Sequence, residues 1–204
     1  MRVDRVVTTG VFQLAGVPTE LENNVWVLGN DEEVIVVDAS HDAAPIVEVV
    51  GSRKVKLIFS THGHRDHIDQ ALTLAEAVEA PVGLHPADLM LWDLVHPDVP
   101  PDLDLVEGME FELGDARLTV LHTPGHTPGS VCLRAEGEIF VGDTLFPGGP
   151  GATHFRYGDF PTIVESITQK LFVLPHDTVV HPGHGDDTTI GAELPGKDSW
   201  QPSS

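Results

Sequence analysis

The 204-residue sequence predicts an α/β (α+β) domain in which two sheets pack face to face with helices on their outer sides. Three observations point there. Short apolar, β-branched runs occur in both halves, glycine-bearing turns pair neighbouring runs as hairpins, and helix-forming stretches lie between them. In the first half, Asn24 to Leu28 and Glu33 to Asp38 flank Gly29-Asn30-Asp31 and read as a hairpin. Pro45 to Val50 suits a short helix, and Val55 to Ser60 a buried strand running straight into a histidine-rich segment. Asp69 to Ala80 follows as a helix with Leu72, Ala75 and Val78 or Glu79 as its apolar stripe, stopped by Pro81. Val82 to Leu84 reads as a short strand, Pro86 to Trp92 as a helix and His96 to Pro101 as a surface loop.

The second half is mostly antiparallel sheet. Met109 to Leu113 and Arg117 to Leu121 flank Gly114-Asp115, and Ser130 to Arg134 and Glu138 to Val141 flank Glu136-Gly137, both hairpin signals. After the Gly/Pro-rich stretch Pro147 to Gly151, Pro161 to Leu171 reads as a helix with proline in its first turn, and Thr178 to His181 as the last strand. No linker or low-complexity segment divides the chain, so a single domain over residues 1–194 is expected, with 195–204 as a frayed tail. The halves share an element order without a demonstrable sequence repeat.

A hydrophobic content of 41% is enough for a substantial core. No stretch approaches the roughly 20 apolar residues that cross a bilayer, and Met1-Arg2-Val3-Asp4-Arg5 lacks the apolar run of a signal peptide. A cytoplasmic protein with no membrane partner, monomeric or homodimeric, is the expectation. Cys132 is the only cysteine, which excludes an internal disulfide and a thiolate zinc cluster. Against 32 Asp and Glu stand 11 Lys and Arg, a net charge of −21 that repels polyanions and argues against nucleic acid as a partner. Most of that acidity reads as a solvated surface.

Histidine carries the chemical signal. In His62-x-His64-x-Asp66-His67, four metal-binding side chains sit within six positions at the end of a buried strand. Imidazole and carboxylate together suit Zn²⁺, Fe or Mn. Gly63 is read as the residue that lets the loop bend, and Asp66 and His67 as lying just before a helix start, where neighbouring side chains splay apart. Three later segments repeat the design of strand, glycine-bearing loop and ligand: Val120 to Thr127 with His126, Ile139 to Asp143, and Val179 to Gly185 with His184.

With these residues in view, the chain resembles the metallo-β-lactamase superfamily, whose signature is T-H-x-H-x-D-H followed by distant His, Asp and His. The resemblance runs from the first hairpin to Gly191. It implies a four-layer αββα sandwich with a binuclear centre: His62, His64 and His126 holding one metal, Asp66, His67 and His184 the other, and Asp143 bridging. Within the superfamily the likeness is to short hydroxyacylglutathione hydrolases (glyoxalase II-like), through Pro124-Gly125-His126-Thr127-Pro128-Gly129-Ser130 and Pro182-Gly183-His184-Gly185. True β-lactamases carry a cysteine where this chain has Asp143, which argues against antibiotic hydrolysis as the main role.

Three departures bear on substrate. The chain is expected to do without the C-terminal helical domain that contacts glutathione in full-length members, which opens the identity of the thiol carrier. Where short relatives show Gly-Arg-Thr-Asp, this chain reads Gly151-Ala152-Thr153-His154-Phe155-Arg156-Tyr157. His154, Arg156 and Tyr157 are therefore candidate substrate contacts within the loop 147–158. Where relatives have Asp-Pro-Gly, Asp38-Ala39-Ser40-His41 stands, with Asp38 a partner behind a ligand and His41 without a role.

The implied reaction is hydrolysis of a small-molecule thioester. Two divalent cations, Zn first and Fe or Mn as alternatives, lower the pKa of a water so that hydroxide attacks the carbonyl carbon. His62, His64 and Asp66 are the residues assigned to that chemistry, with Asp66 accepting a hydrogen bond or the proton from the water. A thiol leaves as thiolate without a strong general acid. The alternatives are a persulfide dioxygenase with one iron on His62, His126 and Asp143, and a lactonase or other hydrolase of the same fold. His85, His96 and His176 read as turn or helix-start residues, His122 and His181 as structural strand ends, and Cys132 as an inert buried thiol.

Overall fold

A computed structural model of the chain describes residues 1–14 and 17–202. Its first sheet has the order β1-β2-β3-β4-β5-β6. Here β1 is Arg2–Leu14, β2 Val17–Gly29, β3 Glu33–Val37, β4 Lys54–Phe59, β5 Val82–Leu84 and β6 Leu103–Asp104. β1 to β3 pair antiparallel and β3 to β6 pair parallel. The parallel part needs crossovers, and helices supply them: α1 (Ala43–Val50), a single turn α2 (Arg65–Ile68), α3 (Ala71–Val78), and a 3₁₀ turn Pro86–Asp88 leading into α4 (Leu89–Trp92). α1 starts two residues before the sequence pattern suggests, because the Asp42 side chain accepts from Ala44 N–H and caps it.

The second sheet comprises β7 (Glu110–Leu113), β8 (Ala116–His122), β9 (Val131–Ala135) and β10 (Glu138–Gly142). A small ribbon of β11 (Leu145–Phe146) and β12 (Gly149–Pro150) follows, then α5 (Phe160–Ser166), which continues as a wider turn to Leu171. β13 (Val179–Pro182) and the two-residue β14 (Thr188–Thr189) complete the sheet in the order β14-β13-β10-β9-β8-β7, so β13 is not the last strand. α6 (Ile190–Glu193) and a 3₁₀ stretch Leu194–Ser199 end the described chain, with the Trp200 ring 5.6 Å from that of Phe172.

Side-chain alternation turns these strands into four layers. Along β2, Val25 and Val27 face α1 and α3, while Trp26 and Leu28 face the other sheet. β3 does the same with Val34 and Val36 against Ile35 and Val37. In β10, Phe140 joins the inter-sheet core while Ile139 and Val141 pack under Ile163, Ile167 and Leu171. Strands buried on both faces explain the continuous apolar runs, and the result is the αββα sandwich. Among the described residues, no helix is long and apolar enough to cross a membrane.

Two local expectations change. The segment Asp69 to Ala80 is helical only from Ala71, because the helix is already begun and broken once upstream: α2 covers Asp66 and His67, which therefore lie within a turn rather than before one. Gly63 does not serve by bending through a left-handed backbone. A Cβ there would stand 2.8 Å from Leu91 Cβ and 3.0 Å from the Asp88 carbonyl, so its role is close approach of the loop to α4.

Candidate metal centre

The strand ends β3, β4, β8, β10 and β13 open on one rim of the sandwich; His62, His64, His126, Asp143 and His184 sit on the loops after β4, β8, β10 and β13, and Asp66 and His67 on α2. His62, His64 and His126 form one group of facing donor atoms, Asp66, His67 and His184 another, and His62, His67 and Asp143 a third; within each group the donors lie within 4.8 Å of one another. All seven residues thus meet at one place.

Most of the imidazoles arrive with one nitrogen already committed. His67 Nδ1 donates to Asp38 Oδ2 at 2.8 Å, His126 Nδ1 to the Ala152 carbonyl at 2.7 Å and His184 Nδ1 to the Glu22 carbonyl at 2.6 Å. Thr61 Oγ1 donates to Asp38 Oδ2 at 3.0 Å and so accepts from His62 Nδ1, also 3.0 Å away. The opposite nitrogens face the centre, bare in His62 and His126 and available in His67 and His184 once their second proton is displaced. His62 Nε2 then lies 3.1 Å from His64 Nδ1, which lies 2.9 Å from His126 Nε2. Asp143 stands between the groups, with His67, His126 and His184 nitrogens each 3.5 Å from its carboxylate. Its Oδ1 is buried with no protein hydrogen bond. Three ring nitrogens gathered within 3.1 Å of their neighbours, beside an orphaned carboxylate oxygen, fit a pair of cations, and this nitrogen and oxygen donor set suits Zn, Fe or Mn alike.

Electrostatics divides the centre. Burial pushes His62, His64 and His126 below the usual histidine range, His64 to about 4, so the first group is neutral. Burial presses His67 and His184 the same way, but for His67 the carboxylates of Asp66, Asp143 and Asp38 prevail and hold it well above that range. Asp143 and Asp66 likewise lift His184 to about 10. Burial would raise Asp66 and Asp143, yet the neighbouring imidazoles, His67 foremost, hold both carboxyls below the ordinary carboxylate range.

Two supports were invisible in the sequence pattern. Asp88, fully buried, accepts from Gly63 N at 2.8 Å, Thr127 Oγ1 at 2.7 Å and Gly129 N at 2.6 Å, tying the His62–His67 loop to the His126 loop. Asn23, also buried, donates through Nδ2 to Asp66 O at 3.0 Å and Asp66 Oδ2 at 3.1 Å. One acid among 32 and one asparagine in an N-N pair carry no motif; only β2 emerging as a strand as far back as Val17 would put Asn23 and Asn24 on opposite faces. Asn24 does point the other way, to the Pro182 and Gly185 carbonyls.

His154, Arg156 and Tyr157 all lie exposed on their loop. Arg156 stacks on the Tyr157 ring at 4.8 Å. The ring that reaches the centre is that of Phe155, 5.7 Å from His64 and 6.3 Å from His126, with His154 stacked behind it at 4.1 Å. Of the remaining histidines, His85 and His122 stack at 4.1 Å, His96 packs on Trp92, and His181 lies between Trp26, Phe140 and two carboxylates.

A family model described as the metallo-beta-lactamase superfamily matches residues 18–184. The hydroxyacylglutathione hydrolase GloC of Haemophilus influenzae is 31% identical over 193 residues, covering 86% of this chain and 91% of that protein. The crystal structure of TTHA1623 in a di-iron-bound form is similar at a TM-score of 0.75 and 32% identity, over 85% of this chain and 93% of that one. ETHE1 from Myxococcus xanthus is similar at 0.71 and 27%, over 83% of this chain and 75% of that one.

Proposed function

The chain belongs to the metallo-beta-lactamase superfamily, and from that premise we propose that it hydrolyses a thioester of a small thiol. The observation that carries the reading is the convergence of seven donors in two groups joined by Asp143, with ring nitrogens fixed from behind. His62, His64 and His126 would hold one divalent cation and Asp66, His67 and His184 the other, Asp143 touching both. Bound there, the cations would supply Lewis acidity for the carbonyl oxygen and bring the pKa of a water near 7.

The protein's own groups do the rest. Asp66, held ionised by His67 and His184, is an acceptor for a water O–H and orients its lone pair toward the carbonyl carbon. The Phe155 ring, half-exposed and edge-on to His64 and His126, offers an apolar wall beside the first group. The exposed Arg156–Tyr157 pair offers a cation and an aromatic face to the thiol carrier. The departing thiol has an ordinary pKa of about 8.5, so it leaves as thiolate and no side chain need protonate it. Likeness to the Haemophilus influenzae hydroxyacylglutathione hydrolase supports this substrate class. A second reading, a persulfide dioxygenase with a single iron on His62, His126 and Asp143, draws on the likeness to ETHE1.

Metal analysis paired with two assays separates them. Two equivalents of metal with thiol release from S-lactoylglutathione or a related thioester supports hydrolysis. One iron with oxygen uptake on glutathione persulfide replaces it with the second reading. His62→Ala abolishes either reaction, whereas Arg156→Ala raises KM with little change in kcat, and an unchanged KM removes Arg156 from the carrier site.

A further inference from the structure

The segment between β3 and α1 holds a feature that hydrolysis as such does not require. Asp38 and His41, three residues apart, both have left-handed backbones with φ of 60°. Non-glycine residues held there cost of order 1 kcal/mol or more, and such strain gathers where the surroundings fix a side chain for a purpose. Asp38 spends its strained position on His67 and Thr61. His41 aims its ring away from Asp38, toward β2: its side chain is 1% exposed, and Nε2 lies 2.7 Å from Asn23 Oδ1. The backbone of β1 closes over that ring, since a Cβ on Gly10 would stand 2.3 Å from His41 Nδ1. The His41 N–H donates to Asp69 Oδ1 at 2.7 Å, fixing the backbone from the other side.

The direction of the hydrogen bonds follows from the acceptors. Asp66 O and Asp66 Oδ2 can only accept from a neighbouring amide, so the Asn23 NH₂ must face them. That leaves Asn23 Oδ1 for His41, and His41 Nε2 is therefore the protonated nitrogen. The chain His41 Nε2–H, Asn23 amide, Asp66 carboxylate has one sense throughout. A turned amide would present its oxygen to the Asp66 carbonyl and carboxylate at once.

We propose that His41 and Asn23 are positioning residues for the cation group Asp66, His67 and His184: His41 sets the orientation of the Asn23 amide, and that amide holds the Asp66 carboxylate in ligating position. This rests on the two-cation reading above and deepens it by saying what distinguishes the second group, which carries two carboxylate-paired imidazoles and one acid held by an amide, from the all-imidazole first group. Asn23 touches no substrate, and His41 acts only through Asn23.

The test is zinc binding by the full chain, titrated against a competing chelator, with unfolding curves as a control. Wild type takes two equivalents of Zn²⁺. Asn23→Ala keeps the tighter equivalent and loses about 10- to 100-fold in affinity for the other, the usual effect of removing a group behind a ligand. His41→Ala weakens the same equivalent, His41→Gln restores it by donating from its amide, and Asn23→Ala with His41→Ala together is no worse than Asn23→Ala alone. Unchanged affinity in Asn23→Ala, or additive losses in the pair, overturns the proposal while leaving the two-cation reading intact. Wild type taking fewer than two equivalents overturns both. Independently of any variant, ¹⁵N shifts of the His41 ring in the wild-type protein must show Nε2 protonated; a ring protonated at Nδ1 alone overturns the proposal.

Discussion

Of the two nitrogens of His126, Nδ1 faces the Ala152 carbonyl and Nε2 faces the centre, and similar backing fixes His62, His67 and His184. Burial on one side and carboxylates on the other make the two donor groups unequal toward protons. The first group is neutral by burial, with His64 at about 4, so a cation entering it displaces no proton near pH 7. In the second, His184 at about 10 and the raised His67 keep their protons at pH 7, and a cation must displace them. A raised histidine pKa means tighter proton binding in the fold, so affinity at Asp66, His67 and His184 rises with pH up to about 10 and falls as pH drops. The first group, its three imidazoles all held below the usual histidine range, keeps its cation to lower pH than the second. Dialysis of zinc-loaded protein from pH 8 to pH 5 is expected to remove one equivalent before the other; simultaneous loss would contradict the assignment. Cys132 makes a simpler case. Burial pushes its thiol up to about 11 against the pull of Thr123 and Thr144, so a thiol reagent at pH 8 leaves the native protein unlabelled and marks one site per chain once urea unfolds it.

Loops carry the ligands, and the elements behind them decide where the loops stand. Asp88, at the end of the 3₁₀ turn before α4, satisfies three buried donors from two ligand loops. Asp88→Ala leaves those donors without partners at roughly 1–3 kcal/mol each. A loss of about 3 kcal/mol or more in a chain of this size lowers Tm by roughly 6–12 °C, read by thermal or urea unfolding. The same variant should loosen the His62, His64, His126 group, since both its loops lose their shared anchor; a normal Tm and zinc affinity would show that the loops are held elsewhere. This marks the boundary of what the sequence discloses. Val55 to Ser60, the Gly114 and Gly137 hairpins and the helix from Pro161 are set by local pattern and are legible, as is a four-ligand run ending a strand. Asp88 with Gly129 and Asn23 with Asp66 are pairings across 41 and 43 residues, and no periodicity encodes them. α2 escapes notice because a four-residue turn with no side-chain cap at His64 shows neither a start signal nor an apolar stripe. Phe155 escapes because an aromatic between charged neighbours looks like loop until the fold swings it over His64.

At the scale of the whole molecule, the net charge of −21 acts on everything the rim does. A chain of this length has a radius of gyration of about 17 Å. At an ionic strength near 0.01 M the screening length is about 30 Å, so each carboxylate feels nearly every other; at 1 M it is about 3 Å. Opposing this are the ion pairs of Arg2, Arg5, Arg53, Lys56, Arg117 and Lys170, which salt also weakens. Exposed pairs contribute about 0–1 kcal/mol each, and among the described residues most of the acids have no Lys or Arg partner to offset their mutual repulsion. Repulsion is therefore the larger of the two quantities that salt removes, and Tm is expected to rise as NaCl goes from 10 mM to 0.5 M. A fall would mean that the ion pairs dominate. The same field bears on turnover: a thioester whose carrier has net negative charge approaches against it, so its kcat/KM should climb with NaCl over the same range, while that of a neutral thioester stays level. If both substrates respond alike, salt is acting on the fold or on the bound cations rather than on encounter, and measuring the two side by side distinguishes those cases.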